Sequence, residues 1–187
     1  MLRVAGLPTR LGAALMLSAA LGAGLLLSGC NTNPEDTTSV AEGEAMKVGE
    51  LLYNVQITRY LNPSDPEDKA YLTGQPALSP NQYYLGVFMQ IQNESGSAQP
   101  VPARFTVTDT EGHKFTPIQS HSLFALKLGG NVAGDGALPV PESTAADGPI
   151  QGSMVLFRIT GSAIEARPLT LDIPSTTGSA GHVELDI

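Results

Sequence analysis

Apolar and polar residues alternate with a period of two along several stretches of the chain, which is the pattern of a strand with one buried face. The clearest stretch covers residues 83–92, where one face is large and apolar throughout. That face is formed by Leu85, Val87, Met89 and Ile91. Shorter stretches with the same pattern occupy residues 51–58, 103–108, 152–159, 169–173 and 183–187. This periodicity predicts an all-β domain.

Turn-forming residues separate these stretches. Residues 109–112, Asp-Thr-Glu-Gly, predict a tight hairpin turn with its glycine where a positive φ is needed. Residues 61–75 are rich in Pro, Asn and Asp and predict a loop, and the glycine-rich residues 129–136 predict a flexible segment. Residues 120–127 fit either a strand or one helical turn. Short strands separated by turns suggest an all-β sandwich or barrel. We predict an immunoglobulin-like antiparallel β-sandwich, which does not require the Trp and the cysteine pair of antibody domains.

The N-terminus has the organisation of a secretory signal. Arg3 and Arg10 form a basic start, and residues 11–27 carry no charge. A membrane-spanning helix that stays in place is the alternative. The apolar run is at the lower limit of the roughly 17–25 residues that such a helix needs, and its glycines and serines weaken a helix. We therefore predict a cleaved signal peptide at residues 1–29.

The end of this run resembles the bacterial lipobox, in which a cysteine thiol receives a diacylglycerol before the signal is cut. The resemblance makes Leu27 the apolar position, Ser28 and Gly29 the small pair, and Cys30 the lipidated residue. It implies a mature chain that begins at Cys30 and is held on the extracytoplasmic face of the cell membrane by its acyl chains. A secreted protein without lipid is the alternative.

Residues 30–45 are polar, acidic and poor in large apolar side chains, so we predict a flexible tether there. The folded part is expected to span residues 46–187 as one β-sandwich domain, a common domain size. Because Cys30 is the only cysteine, the domain has no internal disulfide and depends on its apolar core.

The charge balance restricts the partners. Both bases of the signal are lost on cleavage, which leaves eight Lys and Arg against eighteen Asp and Glu, a net charge of −10. Such a chain repels polyanions, and nucleic-acid binding needs clustered bases. We therefore expect no nucleic-acid partner.

Three stretches resemble one family of bacterial immunoglobulin-like domains of unknown function. These are residues 84–95, residues 103–115, and residues 148–152 leading into the strand at 155–157. The family is commonly carried on lipoproteins and is similar in fold to the mycobacterial immunoprotective secreted antigen. The resemblance covers about residues 48–173 and implies the fold, with no catalytic residues to transfer. Residues 129–146 are expected to be an insertion relative to the family.

Few residues suggest metal or cofactor chemistry. The three histidines, His113, His121 and His182, lack metal-ligand spacing, so we predict surface histidines. Asp65, Glu67 and Asp68 are oxygen ligands in a loop, but their spacing is not that of a calcium-binding loop. A solvated acidic loop is the expected structure, and we predict neither a metal site nor a cofactor.

Ser120, His121 and Ser122 place hydroxyls beside an imidazole. A catalytic triad also needs a carboxylate that orients the base and an oxyanion hole, and no nucleophile elbow is present. We therefore expect no enzyme activity. Five tyrosines lie in the first half of the domain, where they could form an interface, although core and edge packing is the expected role. They are Tyr53, Tyr60, Tyr71, Tyr83 and Tyr84.

The sequence thus predicts a membrane-tethered extracytoplasmic lipoprotein whose sandwich is a protein-interaction or scaffolding module at the cell envelope, acting through its loops or a sheet edge. A lipoprotein that binds a small ligand or a calcium-like ion through the acidic loop is the alternative.

Overall fold

The structure is a computed structural model, and it describes residues 38–175 and 178–187. Its strands are β1 (Ser39–Ala41), β2 (Ala45–Val48), β3 (Leu51–Leu61), β4 (Gln82–Asn93), β5 (Gln99–Pro100), β6 (Thr106–Thr108), β7 (Lys114–Phe115), β8 (Asn131–Val132), β9 (Ala137–Leu138), β10 (Ser153–Thr160), β11 (Leu169–Ile173) and β12 (Gly181–Leu185). The short helices are α1 (Thr144–Asp147), α2 (Gly161–Glu165) and a 3₁₀ turn at Asp68–Ala70.

Two sheets form a β-sandwich. The first, which we call the open sheet, has the order β1-β12-β11-β6-β7, and the second, the covered sheet, has the order β10-β4-β3-β2, with β9 also paired to β4. Strands β5 and β8 form a separate ribbon. The pairs are antiparallel except for β1 with β12, which run parallel. The all-β antiparallel sandwich predicted from the alternating pattern is confirmed.

The inner core lies between the two sheets and follows the alternating pattern. The predicted apolar face of β4 is wholly buried there. It packs with apolar residues of β10 from the same sheet and of β6, β11 and β12 from the other. The residues that these four strands contribute include Val155, Phe157, Val107, Leu171 and Val183. Burial of this apolar surface supplies the main favourable term in folding.

One strand departs from the predicted alternation. The pairing of β3 with β4 shifts register between Val55 and Ile57, which is a β-bulge. A bulge inserts an extra residue into one strand and moves the following side chains to the opposite face. Ile57, predicted on the apolar face, is therefore 39% exposed, while Thr58 is buried. The 103–108 stretch is also shorter than predicted, since only Thr106–Thr108 is a strand.

The outer face of the covered sheet carries a second apolar layer. Tyr84, Phe88, Met154 and Leu156 point outward from β4 and β10 and are buried. Three loop segments cover them. The covering residues include Tyr71, Leu72, Phe124 and Ala145, and Leu61 at the end of β3 packs into the same layer. The Tyr71 ring lies 5.0 Å from that of Phe88 and 4.6 Å from that of Phe124, centroid to centroid.

Residues 38–45, placed in the tether by the sequence analysis, belong to the folded domain. Strand β1 pairs with β12, and the Gly43 N–H donates to the Val55 carbonyl at 2.8 Å. The Glu42 carboxylate accepts the Thr58 N–H at 2.9 Å. Backbone pairing at a sheet edge does not require apolar side chains, which is why a polar composition suggested a linker. The remaining tether, the signal peptide and the lipobox residues Leu27, Ser28, Gly29 and Cys30 lie outside the described residues.

Strand pairing orders the segment at residues 129–146, including residues 129–136, whose glycines predicted flexibility. Strand β8 pairs with β5, and β9 pairs with β4. The Asn93 side-chain amide donates to the carbonyls of Ser97, Val132 and Ala133 at 2.8, 3.2 and 2.8 Å. At Gly134 a Cβ atom would lie 2.6 Å from the backbone of Gly96, so this glycine allows two chain segments to pack closely.

Candidate functional site

The acidic loop before β4 uses its most buried carboxylate for structure. Asp68 is 2% exposed, and its Oδ1 lies 2.6 Å from the Arg59 guanidinium. Its Oδ2 accepts the Asn62 N–H at 2.7 Å. Asp65 accepts the Glu67 N–H in a local turn at 2.9 Å. In residues 38–175 and 178–187, no group of three or more His, Cys, Asp or Glu side chains could hold a metal ion.

The Ser120-His121-Ser122 stretch folds as a local turn. The Ser122 hydroxyl donates to the Ala70 carbonyl at 2.7 Å and accepts the Phe124 N–H at 3.3 Å. The Ser120 hydroxyl accepts the Ser122 N–H at 3.3 Å. The His121 side chain is exposed, and no carboxylate of the described residues is hydrogen-bonded to its ring. Both hydroxyls therefore bond to backbone, and the imidazole lacks the orienting group that a triad needs.

His113 is paired with a buried carboxylate in the β6–β7 hairpin. Its Nδ1 lies 2.9 Å from Asp109 Oδ2, and Asp109 Oδ1 accepts the N–H groups of Glu111 and His113. The hydrogen bond and the charge of Asp109 raise the pKa of His113. Burial alone would raise the pKa of Asp109, but its hydrogen bonds with His113 and Glu111 lower it overall. The pair holds the predicted hairpin turn, in which Gly112 has φ +85°.

His182 lies on a different strand and has its own carboxylate. Its Nδ1 is 2.8 Å from Asp172 Oδ1, while Asp172 Oδ2 accepts the Thr108 hydroxyl at 2.9 Å. This network links β12, β11 and β6 on the outer face of the open sheet. The three histidines therefore lie on three different elements, each in its own local environment.

The tyrosines mostly pack into the domain, as expected. Tyr53, Tyr71 and Tyr84 are buried, and the Tyr84 hydroxyl donates to the Pro76 carbonyl at 2.6 Å. Tyr83 is 41% exposed and makes an edge contact with Tyr60 at 6.2 Å between centroids. They do not form one exposed aromatic patch.

An apolar groove is the feature that the sequence reasoning missed. It is a cavity of about 230 Å³ between the chain from Leu123 to Lys127, the chain from Leu138 to Val140, and α1. Leu123 is 79% exposed and Val140 is 58% exposed, the two highest values among the large hydrophobic side chains of the described residues. Both line this groove. Large apolar side chains grouped on a surface mark interaction sites more often than scattered ones do.

The floor of the apolar groove carries an unpaired hydroxyl. Ser153, the first residue of β10, lines the groove and is 5% exposed. Its hydroxyl makes no hydrogen bond to any described residue. The oxygen is not among the buried side-chain atoms without a partner, so it reaches solvent and can bond either to water or to a ligand that enters the groove. The groove lies beside β4 at the point where its pairing partner changes. Met89 pairs with Ser153 of β10, and two residues further along β4, Ile91 pairs with Leu138 of β9.

A weak signal for this site does exist in the sequence. Val140 lies between Pro139 and Pro141 in a segment otherwise poor in large apolar residues. A large apolar side chain held between two prolines cannot be part of a central strand, so its exposure could have been suspected.

A larger open cavity of about 570 Å³ lies at one end of the open sheet, but two of its charged side chains, Glu42 and Arg167, are bonded within the domain. The Glu42 carboxylate accepts the N–H groups of Thr58 and Asp186. Arg167 donates to the Ile187 carbonyl at 2.7 Å. These bonds fasten β1 and the last residues to the sandwich.

No helix within residues 38–175 and 178–187 is long and apolar enough to cross a membrane.

Comparisons with known proteins return matches of fold only. No protein-family model matches the chain, and no curated protein matches it. An uncharacterized β-sandwich protein of Clostridium difficile is 10% identical, with a TM-score of 0.49 over 81% of this chain and 96% of that one. The YjhA protein of Bacillus subtilis is 13% identical, with a TM-score of 0.45 over 80% of this chain and 100% of that one. A candidate lipoprotein of Bacillus subtilis, YcdA, is 16% identical, with a TM-score of 0.48 over 78% of this chain and 39% of that one.

These likenesses are too distant to support a function for this chain. The resemblance to the bacterial immunoglobulin-like family that includes the mycobacterial antigen stays a prediction from the sequence.

Proposed function

We propose that this chain is a lipid-anchored, extracytoplasmic protein-interaction module that binds a protein partner at the cell envelope through the apolar groove. The observation that carries the proposal is the exposure of Leu123 and Val140 on one groove. Exposing both side chains to water is unfavourable, and a partner that covered them would gain at most roughly 1.5–3 kcal/mol from Leu123 and less from Val140, which is only 58% exposed. In this proposal the domain binds and does not catalyse.

The anchor in this proposal rests on the sequence. The lipobox at Leu27, Ser28, Gly29 and Cys30 follows an uncharged apolar run. Acylation of Cys30 would hold the sandwich next to the bilayer, where the domain and an envelope partner would meet at high effective concentration. The first test is intact mass and membrane partition in a bacterial host. We expect loss of residues 1–29 and added acyl chains in the wild type, and no processing in Cys30→Ala.

The second test addresses the interaction. The lipidated protein is crosslinked in intact cells, isolated from membranes and compared by quantitative mass spectrometry with Leu123→Gln and Tyr83→Gln variants. We expect one envelope protein to accompany the wild type and Tyr83→Gln and to be lost with Leu123→Gln. Tyr83 is a matched control because it is also exposed but lies far from the groove. It pairs with Ile159, which is six residues along β10 from the groove residue Ser153, a distance of about 20 Å. Equal recovery with all three proteins would exclude the groove as the interaction site.

A further inference from the structure

We infer that the apolar groove takes an extended protein segment that inserts one apolar side chain and carries basic residues on either side of it. This inference rests on the proposed function and specifies its partner chemistry. Three observations carry it: the size of the groove, the unpaired hydroxyl on its floor, and the charges beside it.

The size favours a single anchoring side chain. At about 230 Å³ the groove is smaller than the roughly 300–1,000 Å³ of pockets that enclose drug-sized ligands. It is also open, with Leu123 and Val140 at its rim, so an occupant would be covered on one side only. A leucine- or phenylalanine-sized side chain of a passing segment would bury both rim residues without being enclosed.

The floor of the groove favours a polypeptide over a purely apolar occupant. Ser153 is 5% exposed, its hydroxyl has no partner among the described residues, and a hydroxyl can donate one hydrogen bond and accept two. An extended segment presents backbone carbonyl and N–H groups beside each side chain, which would satisfy this hydroxyl once water is excluded. The pairing partner of β4 changes from β10 at Met89 to β9 at Ile91 at the same place. Extended segments are recognised by backbone hydrogen bonds and by pockets for single side chains.

The charges favour basic flanks. Glu142 adjoins the groove residue Ser143, Asp147 ends α1 close to the groove residue Ala145, and both carboxylates are exposed. Neither makes an ion pair with a described residue. Lys127 is the base among the lining residues, and the whole chain carries a net charge of −8. A segment with Lys or Arg beside its apolar anchor would be attracted, whereas an acidic segment or an anionic lipid surface would be repelled.

The test uses the full lipidated chain in nanodiscs made of neutral lipid and a displayed library of random peptides. We expect the enriched peptides to share a large apolar residue with Lys or Arg nearby. A synthetic peptide of that consensus should bind about tenfold more weakly to Leu123→Gln, as loss of one buried apolar contact predicts. Tyr83→Gln should bind it as the wild type does.

Two further variants test the contributions of the Ser153 hydroxyl and of the two nearby carboxylates to peptide binding, apart from that of the apolar side chains. Ser153→Ala should weaken the same peptide by about threefold, because one hydrogen bond contributes about 1 kcal/mol or less. The double variant Glu142→Gln, Asp147→Asn should weaken it by about threefold at low salt and by less at high salt, because salt screens exposed charges. Glu184→Gln, an exposed acid of β12 on the open sheet, is the matched control and should change nothing.

Several results would overturn the inference. Enriched peptides with acidic flanks or no apolar residue, or no enrichment above that on Leu123→Gln, would each exclude this partner chemistry. Binding of the protein to anionic vesicles through Leu123 would assign the groove to a lipid surface, and a Leu123-dependent dimer in sedimentation would assign it to a second copy. If the envelope protein is still lost with Leu123→Gln while the peptides fail, the interaction module stands and only its partner chemistry is wrong.

Discussion

The outer faces of the two sheets differ, and the difference locates the groove. On the open sheet, the outward residues of β6, β11 and β12 are polar and are not covered by loops, so they are half-buried or exposed: Thr106, Thr108, Thr170, Asp172, His182 and Glu184. On the covered sheet, the outward residues of β4 and β10 are apolar and are buried under loop segments. A sheet with one polar face has to bury only its apolar face, whereas a sheet with two apolar faces needs a further layer of the chain over its outer face. The apolar groove lies at the margin of that cover.

The largest expected effect is the loss of an aromatic side chain from the second layer. Phe88→Ala should lower the free energy of unfolding by about 3–5 kcal/mol, because it leaves a cavity beneath Tyr71 and Phe124. Thr170→Ala on the open sheet should change it by less than about 0.5 kcal/mol. Urea denaturation measures both. Similar small effects at the two sites would mean that the covering loops add little stability.

The next effect concerns the bond between β4 and the glycine-rich segment. Asn93→Ala should cost about 2 kcal/mol, since the hydrogen bonds from the Asn93 amide to the carbonyls of Ser97, Val132 and Ala133 are lost. Hydrogen exchange in residues 129–146 should rise more than in the open sheet. Gln92→Ala, an exposed neighbour on the same strand, is the control. Unchanged exchange in the segment would contradict the role given to Asn93.

A smaller, pH-dependent effect is expected on the open sheet. The lowered pKa of Asp109 gives stability that is present above its unfolded value of 3.8 and lost as pH falls through the folded pKa. The raised pKa of His113 gives stability that is present below its unfolded value of 6.5 and lost as pH rises through the folded pKa. His113→Gln should therefore destabilise the domain at about pH 5.5 and much less at about pH 9. His121→Gln, at an exposed histidine without a carboxylate partner, is the control, and the same pH profile in both variants would show that the Asp109–His113 pair is not the cause.

The smallest effect on stability is expected at the groove itself. Leu123→Gln should change the free energy of unfolding by less than about 0.5 kcal/mol, because its side chain is 79% exposed. Thermal denaturation of the variant beside the wild type measures this. A large loss of stability would show that the Leu123 side chain stabilises the covering loop segments and is not free to bind a partner.

The sequence predicted those strands whose side chains alternate, such as β4, β10 and β11, because period-two burial is a local property. It did not predict β1, whose pairing depends on backbone bonds to β12 far along the chain. It did not predict the bulge after Val55, which exchanges the faces of Ile57 and Thr58. Tyr84 and Phe88, large and aromatic on the supposed polar face of β4, were the sequence signal of the second layer.

The apolar groove could not be predicted from the sequence for a similar reason. The acidic loop and the Ser120-His121 stretch were visible because their residues are neighbours in sequence. The groove draws on residues 123–127, residues 138–145 and Ser153, and only long-range packing brings these together. Its functional side chains are also ordinary apolar residues, whose meaning depends on their exposure.

The most direct measurement is photocrosslinking in intact cells from one position on each outer face, with a photoreactive residue at Leu123 or at Thr170 of the lipidated chain. The account predicts a discrete protein adduct from position 123 that disappears with the Cys30→Ala anchor variant, and no discrete adduct from position 170. Adducts of equal yield from both positions, or an adduct from position 170 alone, would contradict the claim that the margin of the covered face is where this domain meets its partner.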